Sequence, residues 1–357
     1  MSSLSEHIKN SDSPFLISGP CSAESEKQVL ETVQALVKNT KLSLIRAGIW
    51  KPRTRPDSFE GIGKEALPWL VNAGKQFDLP VTTEVANAKH VEEALKAGVN
   101  VLWIGARTTV NPFAVQEIAD ALNGVEIPVM VKNPINPDFW LWVGAFERLN
   151  RAGISDVIGI HRGFSIYKHS KYRNIPNWEI PIRLKEEMPE IPLICDPSHI
   201  SGKREGIKDV AQKALDLNFS GLMIESHIFP DEALSDSAQQ VTPVDLGQIM
   251  NNLALRKSNL SLEELDFIDV MRKEIAKVDD DFFTVLSKRM QLSQQIGRYK
   301  KENSITILQH EHWKRIIASR MEQAEHYDLS TTFIREIMDA IHQESIRQQS
   351  KVMYPKR

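Results

Sequence analysis

Helix breakers are distributed unevenly along this 357-residue chain, and that asymmetry limits its folds more than any other feature. Of 17 glycines and 18 prolines, only Gly297 and Pro355 lie beyond residue 261. Tight turns draw on these residues because Gly reaches positive φ and Pro presets φ near −65°. A 96-residue stretch with two of them cannot supply the turns of a sheet and is expected to be all-helical. The preceding part is rich in turns and holds both cysteines and six of the seven tryptophans. The shift falls in NNLALRKSNLSL and divides the chain into 1–256 and 257–357.

Short apolar runs recur through the first part. They are FLISG (15–19), LSLIRAG (42–48), PVTTEV (80–85), VLWIGA (101–106), PVMVK (128–132), DVIGIHRG (156–163), PLICD (192–196) and GLMIE (221–225). Strands that are apolar on both faces and alternate with amphipathic helices read as βα units of a parallel sheet. Eight such units in about 250 residues predict an α/β fold, a (β/α)8 TIM barrel. A doubly wound open sheet is the rival, but no G-x-G-x-x-G or P-loop follows the first run.

A barrel gathers its chemistry at the C-terminal ends of its strands. Run 1 leads into Gly19-Pro20-Cys21-Ser22, and run 2 ends at Arg46, followed by KPRTRP (51–56). Run 3 ends at Glu84, run 4 just before Arg107, run 5 at Lys132 and run 6 near Arg162. Run 7 leads into Asp196-Pro197-Ser198-His199, and run 8 ends at Glu225. Cys21, His199, Glu225 and Asp236 offer thiolate, imidazole and carboxylate donors that could hold one divalent ion of the Mn, Fe, Co or Zn class. Buried small thiols and a loop histidine are the plainer reading of Cys21, Cys195 and His199. Arg46, Lys51, Arg53, Arg107, Lys132 and Arg162, with Arg173, form a cationic set. So many converging cations are costly unless anions bind among them. Together the two groups favour metal-assisted carbonyl chemistry on phosphorylated substrates.

Composition narrows the class. A formal charge of −3 argues against a dedicated nucleic-acid binder. No apolar run of membrane-spanning length is visible, and MSSLSEHIKNSDSPFLIS lacks the pattern of a signal peptide. Two cysteines suit a reducing compartment, so a cytoplasmic enzyme without membrane contact is expected.

RAGIWKPRT (46–54), GPCS (19–22), IGAR (104–107), VMVKNP (129–134), HRG (161–163), CDPSH (195–199) and IESH (224–227) closely resemble the 3-deoxy-D-arabino-heptulosonate 7-phosphate (DAHP) synthases of the compact bacterial subtype. The resemblance implies condensation of phosphoenolpyruvate with erythrose 4-phosphate by a metal-dependent barrel. It makes Cys21, His199, Glu225 and Asp236 the metal ligands. It places Arg46, Lys51, Arg107, Lys132 and Arg162 on phosphoenolpyruvate, and Arg53 and Thr54 on erythrose 4-phosphate. Lys51 becomes the candidate proton donor, and Glu84 a group that orients water. The related octulosonate-phosphate synthases rank second, because they lack the Pro-Arg-Thr that follows Lys51 here. His161 departs from the acidic residue common before the arginine and receives no role. For Cys195, a packed thiol and an oxidative bridge to Cys21 stand as alternatives.

In the second part, Leu265, Ile268, Met271, Ile275, Val278, Phe282 and Val285 recur at helical spacing and predict one helix over 262–300. Further helices are expected at about 311–326 and 331–350. A helix of about 39 residues would be roughly 58 Å long and calls for a partner helix, most simply from a second copy. Arg289 and Lys300, eleven apart, fall within about 20° of one helix face, whereas Arg272 lies roughly 25 Å from Arg289. MRKEI (271–275), DDDFFTVLSKRM (279–290), IGRYKKEN (296–303) and ESIRQQ (344–349) resemble the all-helical chorismate mutases, which are intertwined dimers. The resemblance implies that Arg272 of one chain joins Arg289, Lys300, Gln309, Ser345 and Gln349 of the other, with Lys300 and Gln349 catalytic. His312 stands where an arginine is common, with Trp313 after it and Arg315 as a possible substitute. Both resemblances together imply a homo-oligomer acting on phosphoenolpyruvate, erythrose 4-phosphate and chorismate or prephenate. The helical part would also regulate the barrel. A purely regulatory or dimerising helical part is the alternative.

Overall fold

The computed structural model describes residues 3–52, 57–167, 170–256 and 261–354. It divides into two compact units, Met1–Ser258 and Asn259–Arg357. Arg53 and Thr54 lie outside the described residues.

The first unit is a closed barrel of eight parallel strands in sequence order. They are β1 (Phe15–Gly19), β2 (Leu44–Arg46), β3 (Val81–Val85), β4 (Val101–Ile104), β5 (Val129–Lys132), β6 (Val157–His161), β7 (Leu193–Cys195) and β8 (Gly221–Glu225). Each falls inside one of the eight apolar runs. The runs are continuous rather than alternating because both strand faces are buried. Inward side chains, among them Ile17, Leu44, Trp103, Met130, Ile160 and Met223, fill the barrel. Their outward neighbours pack under the helices, among them Leu16, Ile45, Leu102, Val131 and Leu222.

The helix Leu4–Lys9 closes the N-terminal end of the barrel. Ser3 and Glu6 form a capping box, and Ile8 is buried among the inward side chains. The Leu4 and Ser5 amides donate to the Asp156 carboxylate, which sits just before β6, at 2.7 and 2.8 Å. The open mouth is therefore at the strand C-termini.

The second unit holds helices Leu262–Glu302, His310–Ala324 and Thr331–Met353. Ser261 and Glu264 cap the long helix reciprocally, and Ser330 caps the last one. The long and last helices approach closely at Gly297, where a Cβ would lie 2.9 Å from Gln349 Cα. The one glycine of the tail is therefore a contact residue and not a break. Along the rest of the long helix Phe267, Ile275, Val278, Phe283 and Val285 are exposed within this chain.

Candidate active sites

At the barrel mouth, β1, β8 and the segment after β8 bring Cys21 Sγ and carboxylate oxygens of Glu225 and Asp236 within 4.8 Å of one another. His199 Nε2 lies 3.9 Å from Glu225 Oε1 at the edge of this cluster. Its Nδ1 lies 2.8 Å from Asp196 Oδ2, so Asp196 orients the ring. Burial lowers the His199 pKa despite Asp196. Burial, and then Glu225, push the Cys21 thiol up to about 12. Burial works against ionised Glu225, but His199, Arg46 and Lys51 hold its pKa below the usual carboxylate value. Glu225 Oε1 faces Arg46 Nη2 at 3.2 Å but makes no hydrogen bond among the described residues. A mixed sulfur, nitrogen and oxygen donor set fits a divalent transition-metal ion.

Beside this cluster a cleft is lined by Lys51, Glu84, Arg107, Lys132, Arg162, Arg173, His199 and Asp236. Arg46 lies under it, almost fully buried, 3.2 Å from Glu225. Its Nε and Nη1 have no hydrogen-bond partner among the described residues. Lys51 Nζ donates to Cys21 Sγ at 2.9 Å and to the Cys21 carbonyl at 3.2 Å. Arg162 donates to Asn174 Oδ1 at 2.8 Å. Burial, only partly offset by Asp196, lowers its pKa to about 10, with Arg173 and Arg107 adding to the effect. A cation destabilised in this way is a ready anion site.

Three supporting residues escaped the sequence reading. Trp103 forms the floor: Arg46 and Lys132 stand over its ring at 4.9 and 5.8 Å, and its Nε1 donates to Glu84 at 3.0 Å. Asp196 was visible in CDPSH but had no role; it pairs with Lys132 at 2.8 Å. Gly105 keeps room for Glu84, since a Cβ there would lie 2.1 Å from Glu84 Oε1. Composition marks none of these, because each acts through a neighbour from another strand.

His161 and Cys195 point away from the mouth. Strand alternation puts Cys195 in the helix-side core, while Cys21, two residues past β1, meets Lys51. Both thiols are free and buried. His161 packs against Trp142, Phe164, Trp178 and Phe219, with ring centroids 5.2 to 6.5 Å away. Burial pushes its pKa down to about 3 from 6.5. Below pH 6.5 the unfolded chain takes up a proton that the folded barrel refuses, so stability falls as pH drops from 6.5 toward 3. About 2 kcal/mol should disappear between pH 7 and pH 5. Urea midpoints of wild type and His161→Leu at both pH values check this; an equal pH dependence in the two proteins would refute it.

The helical unit gathers a second polar cluster. Arg289 Nη1 donates to Ser345 Oγ at 2.6 Å, and Lys300 Nζ donates to the Ile307 carbonyl at 2.6 Å. Ser345, Gln349 and Lys300 are buried, and Gln349 Oε1 has no partner among the described residues. Burial, then Arg320, lowers the Arg289 pKa; burial lowers that of Lys300. Arg272 is not part of this cluster: it is exposed and pairs with Asp269 at 3.0 Å. Gln309 and His312 are exposed at the start of the second helix, and Arg315 shares a shallow depression with His312 and Arg320. Trp313 stacks on His342 with centroids 3.8 Å apart.

Residues 3–259 match the profile of the DAHP synthetase I family. The chain belongs to that family. Residues 271–350 match chorismate mutase type II, so a DAHP synthetase I barrel is joined here to a mutase-like helical domain. Phospho-2-dehydro-3-deoxyheptonate aldolase of Thermotoga maritima is 28% identical over 226 residues, covering 63% of this chain. The match spans 64% of that relative's length. A 2-dehydro-3-deoxyphosphooctonate aldolase of Desulfotalea psychrophila is 26% identical, covering 70% of this chain and 91% of the relative. In fold, the barrel resembles the crystal structure of the Thermotoga maritima DAHP synthase, with TM-score 0.60 and 24% identity over 66% of this chain and 67% of that one. Among the described residues no helix is long and apolar enough to cross a membrane.

Proposed function

We propose that this DAHP synthetase I member condenses phosphoenolpyruvate with erythrose 4-phosphate in its barrel and rearranges chorismate to prephenate in its helical unit. One observation carries the first activity: Cys21, Glu225 and Asp236 converge beside a cleft lined by Lys51, Arg107, Lys132 and Arg162. A cleft so charged suits two phosphorylated substrates. Cys21, His199, Glu225 and Asp236 would hold one divalent ion of the Mn, Fe, Co or Zn class. When bound, that ion supplies Lewis-acid polarisation of the aldehyde oxygen.

The chain's own groups do the rest. Arg46, Lys51, Arg107, Lys132 and Arg162 hold the enolpyruvate carboxylate and phosphate, with C3 facing the aldehyde carbon. As the C3–C1 bond forms, Lys51 donates a proton to the developing alkoxide. Glu84, fixed by Trp103, orients the water that adds at C2, after which phosphate leaves with its bridging oxygen. Arg53 and Thr54 follow Lys51 directly in sequence and suit the erythrose phosphate.

In the helical unit, Arg289 and Ser345 anchor a carboxylate, while Lys300 and Gln349 stabilise charge on the breaking C–O bond. Gln309 faces the substrate hydroxyl. The exposed apolar length of the 41-residue helix is covered by a second copy, whose Arg272 completes the site. Prephenate binding here would also restrain the barrel. Two free buried thiols suit the cytoplasm.

The test is the rate of phosphoenolpyruvate loss with erythrose 4-phosphate, before and after chelation, with Mn²⁺ added back and then prephenate. Loss of the rate on chelation and recovery with metal is expected. Turnover with arabinose 5-phosphate instead of erythrose 4-phosphate would overturn the substrate assignment.

A further inference from the structure

Asp236 sits between β8 and the helix Pro243–Asn251, where the regular structure is two short 3-10 turns, Pro230–Glu232 and Ser237–Gln239. Its backbone is left-handed, with φ 48° and ψ 37°. Aspartate enters that region more readily than most residues, so where its carboxylate points depends on how the segment around it is held. Arg204 is placed to hold that segment. Its Nε donates to the Gln240 carbonyl at 2.6 Å. Its Nη2 donates to the Ser237 carbonyl at 2.9 Å and to Asp231 Oδ1 at 2.6 Å. These three acceptors bracket Asp236 on both sides in sequence.

Arg204 itself follows His199 by five residues, through the helix Pro197–Ser201. One guanidinium therefore joins the segment that carries His199 to the segment that carries Asp236. It does not line the cleft, and at 35% side-chain exposure it fills no cavity. Charge alone cannot do this work, since two of the three acceptors are backbone carbonyls. The planar fork of arginine presents Nε and Nη2 to separate acceptors at once, which a lysine cannot do.

We propose that Arg204 is a positioning residue for the cation site, stapling the Asp236 segment at three points and so setting the affinity of the four donors for a divalent ion. This rests on the metal reading above. Partners that orient ligands, when removed, cost about 10- to 100-fold in metal affinity.

The experiment uses the full chain, freed of metal and titrated with Mn²⁺ or Co²⁺ against a chelator of known affinity. Wild type, Arg204→Gln, Arg204→Lys and Asp236→Asn are compared. Both Arg204 variants are expected to bind about 10-fold more weakly than wild type. Their Co²⁺ visible spectra should move toward that of Asp236→Asn, with the melting temperature of the metal-free protein unchanged. Wild-type affinity and spectrum in Arg204→Gln would overturn the proposal, as would full rescue by lysine or a matching fall in metal-free melting temperature. Failure of the wild type itself to bind either metal would instead refute the metal reading.

Discussion

Asp196→Ala is expected to cost about 3–5 kcal/mol of barrel stability, the range for removing one partner of a buried ion pair. Asp196 is fully buried and makes three polar contacts with two residues. It pairs with Lys132 Nζ and His199 Nδ1, each at 2.8 Å, and accepts from the His199 amide at 3.0 Å. Burial alone would raise its pKa, but His199 and Lys132 hold it well below the usual carboxylate range. Alanine would leave Lys132, itself 4% exposed, as an unpaired buried cation. It would also free the His199 ring, so metal affinity should fall by roughly 10- to 100-fold. Denaturant unfolding followed by tryptophan fluorescence reads the first effect, and chelator competition the second. An unfolding free energy within 1 kcal/mol of wild type, on the scale of an exposed pair, would show that Lys132 has another anion.

Arg289→Ala should lower mutase kcat/KM by about 10²–10³-fold, the scale for losing one preorganised donor. Arg289 is held by Ser345 at 2.6 Å, at the helix face that also carries Lys300. Arg272→Ala should be comparably inactive although Arg272 is exposed and remote within its own chain. The two variants then make a sharp test. Mixed and reassembled, they should regain activity, because each hybrid dimer has one site with Arg289 from one chain and Arg272 from the other. No recovery on mixing would mean that Arg272 does not cross to the partner. Full activity of Arg289→Ala would remove the proposed site altogether.

Much of the fold was legible in the sequence, since burial imposes a local pattern. A parallel strand covered on both faces must be continuously apolar, so eight runs marked eight strands. Helix boundaries in the second unit were nearly as clear. The first and last helices begin where the spacing put them, and the ends moved by two or three residues, where fraying makes boundaries soft.

The sites were legible in part. Residues with chemistry at a strand end could be named, because the barrel topology sends every such end to one mouth. Their partners could not. Cys21 and Asp236 are 215 positions apart and meet at 3.5 Å. Lys132 and Asp196 are 64 apart and pair. His161, given no role from the sequence, faces the helix-side aromatics, while its neighbour Arg162 lines the cleft.

The barrel, the helical tail and the residue types available for anion and metal chemistry could be read from the order of residues alone. Only the folded chain shows which side of each strand faces the mouth and which distant groups pair, such as Trp103 with Glu84 and Asp196 with Lys132. The physical reason is range. Hydrophobic periodicity and capping are set by neighbours within a few residues, whereas a pairing distance depends on the register around all eight strands and on the loops that leave them.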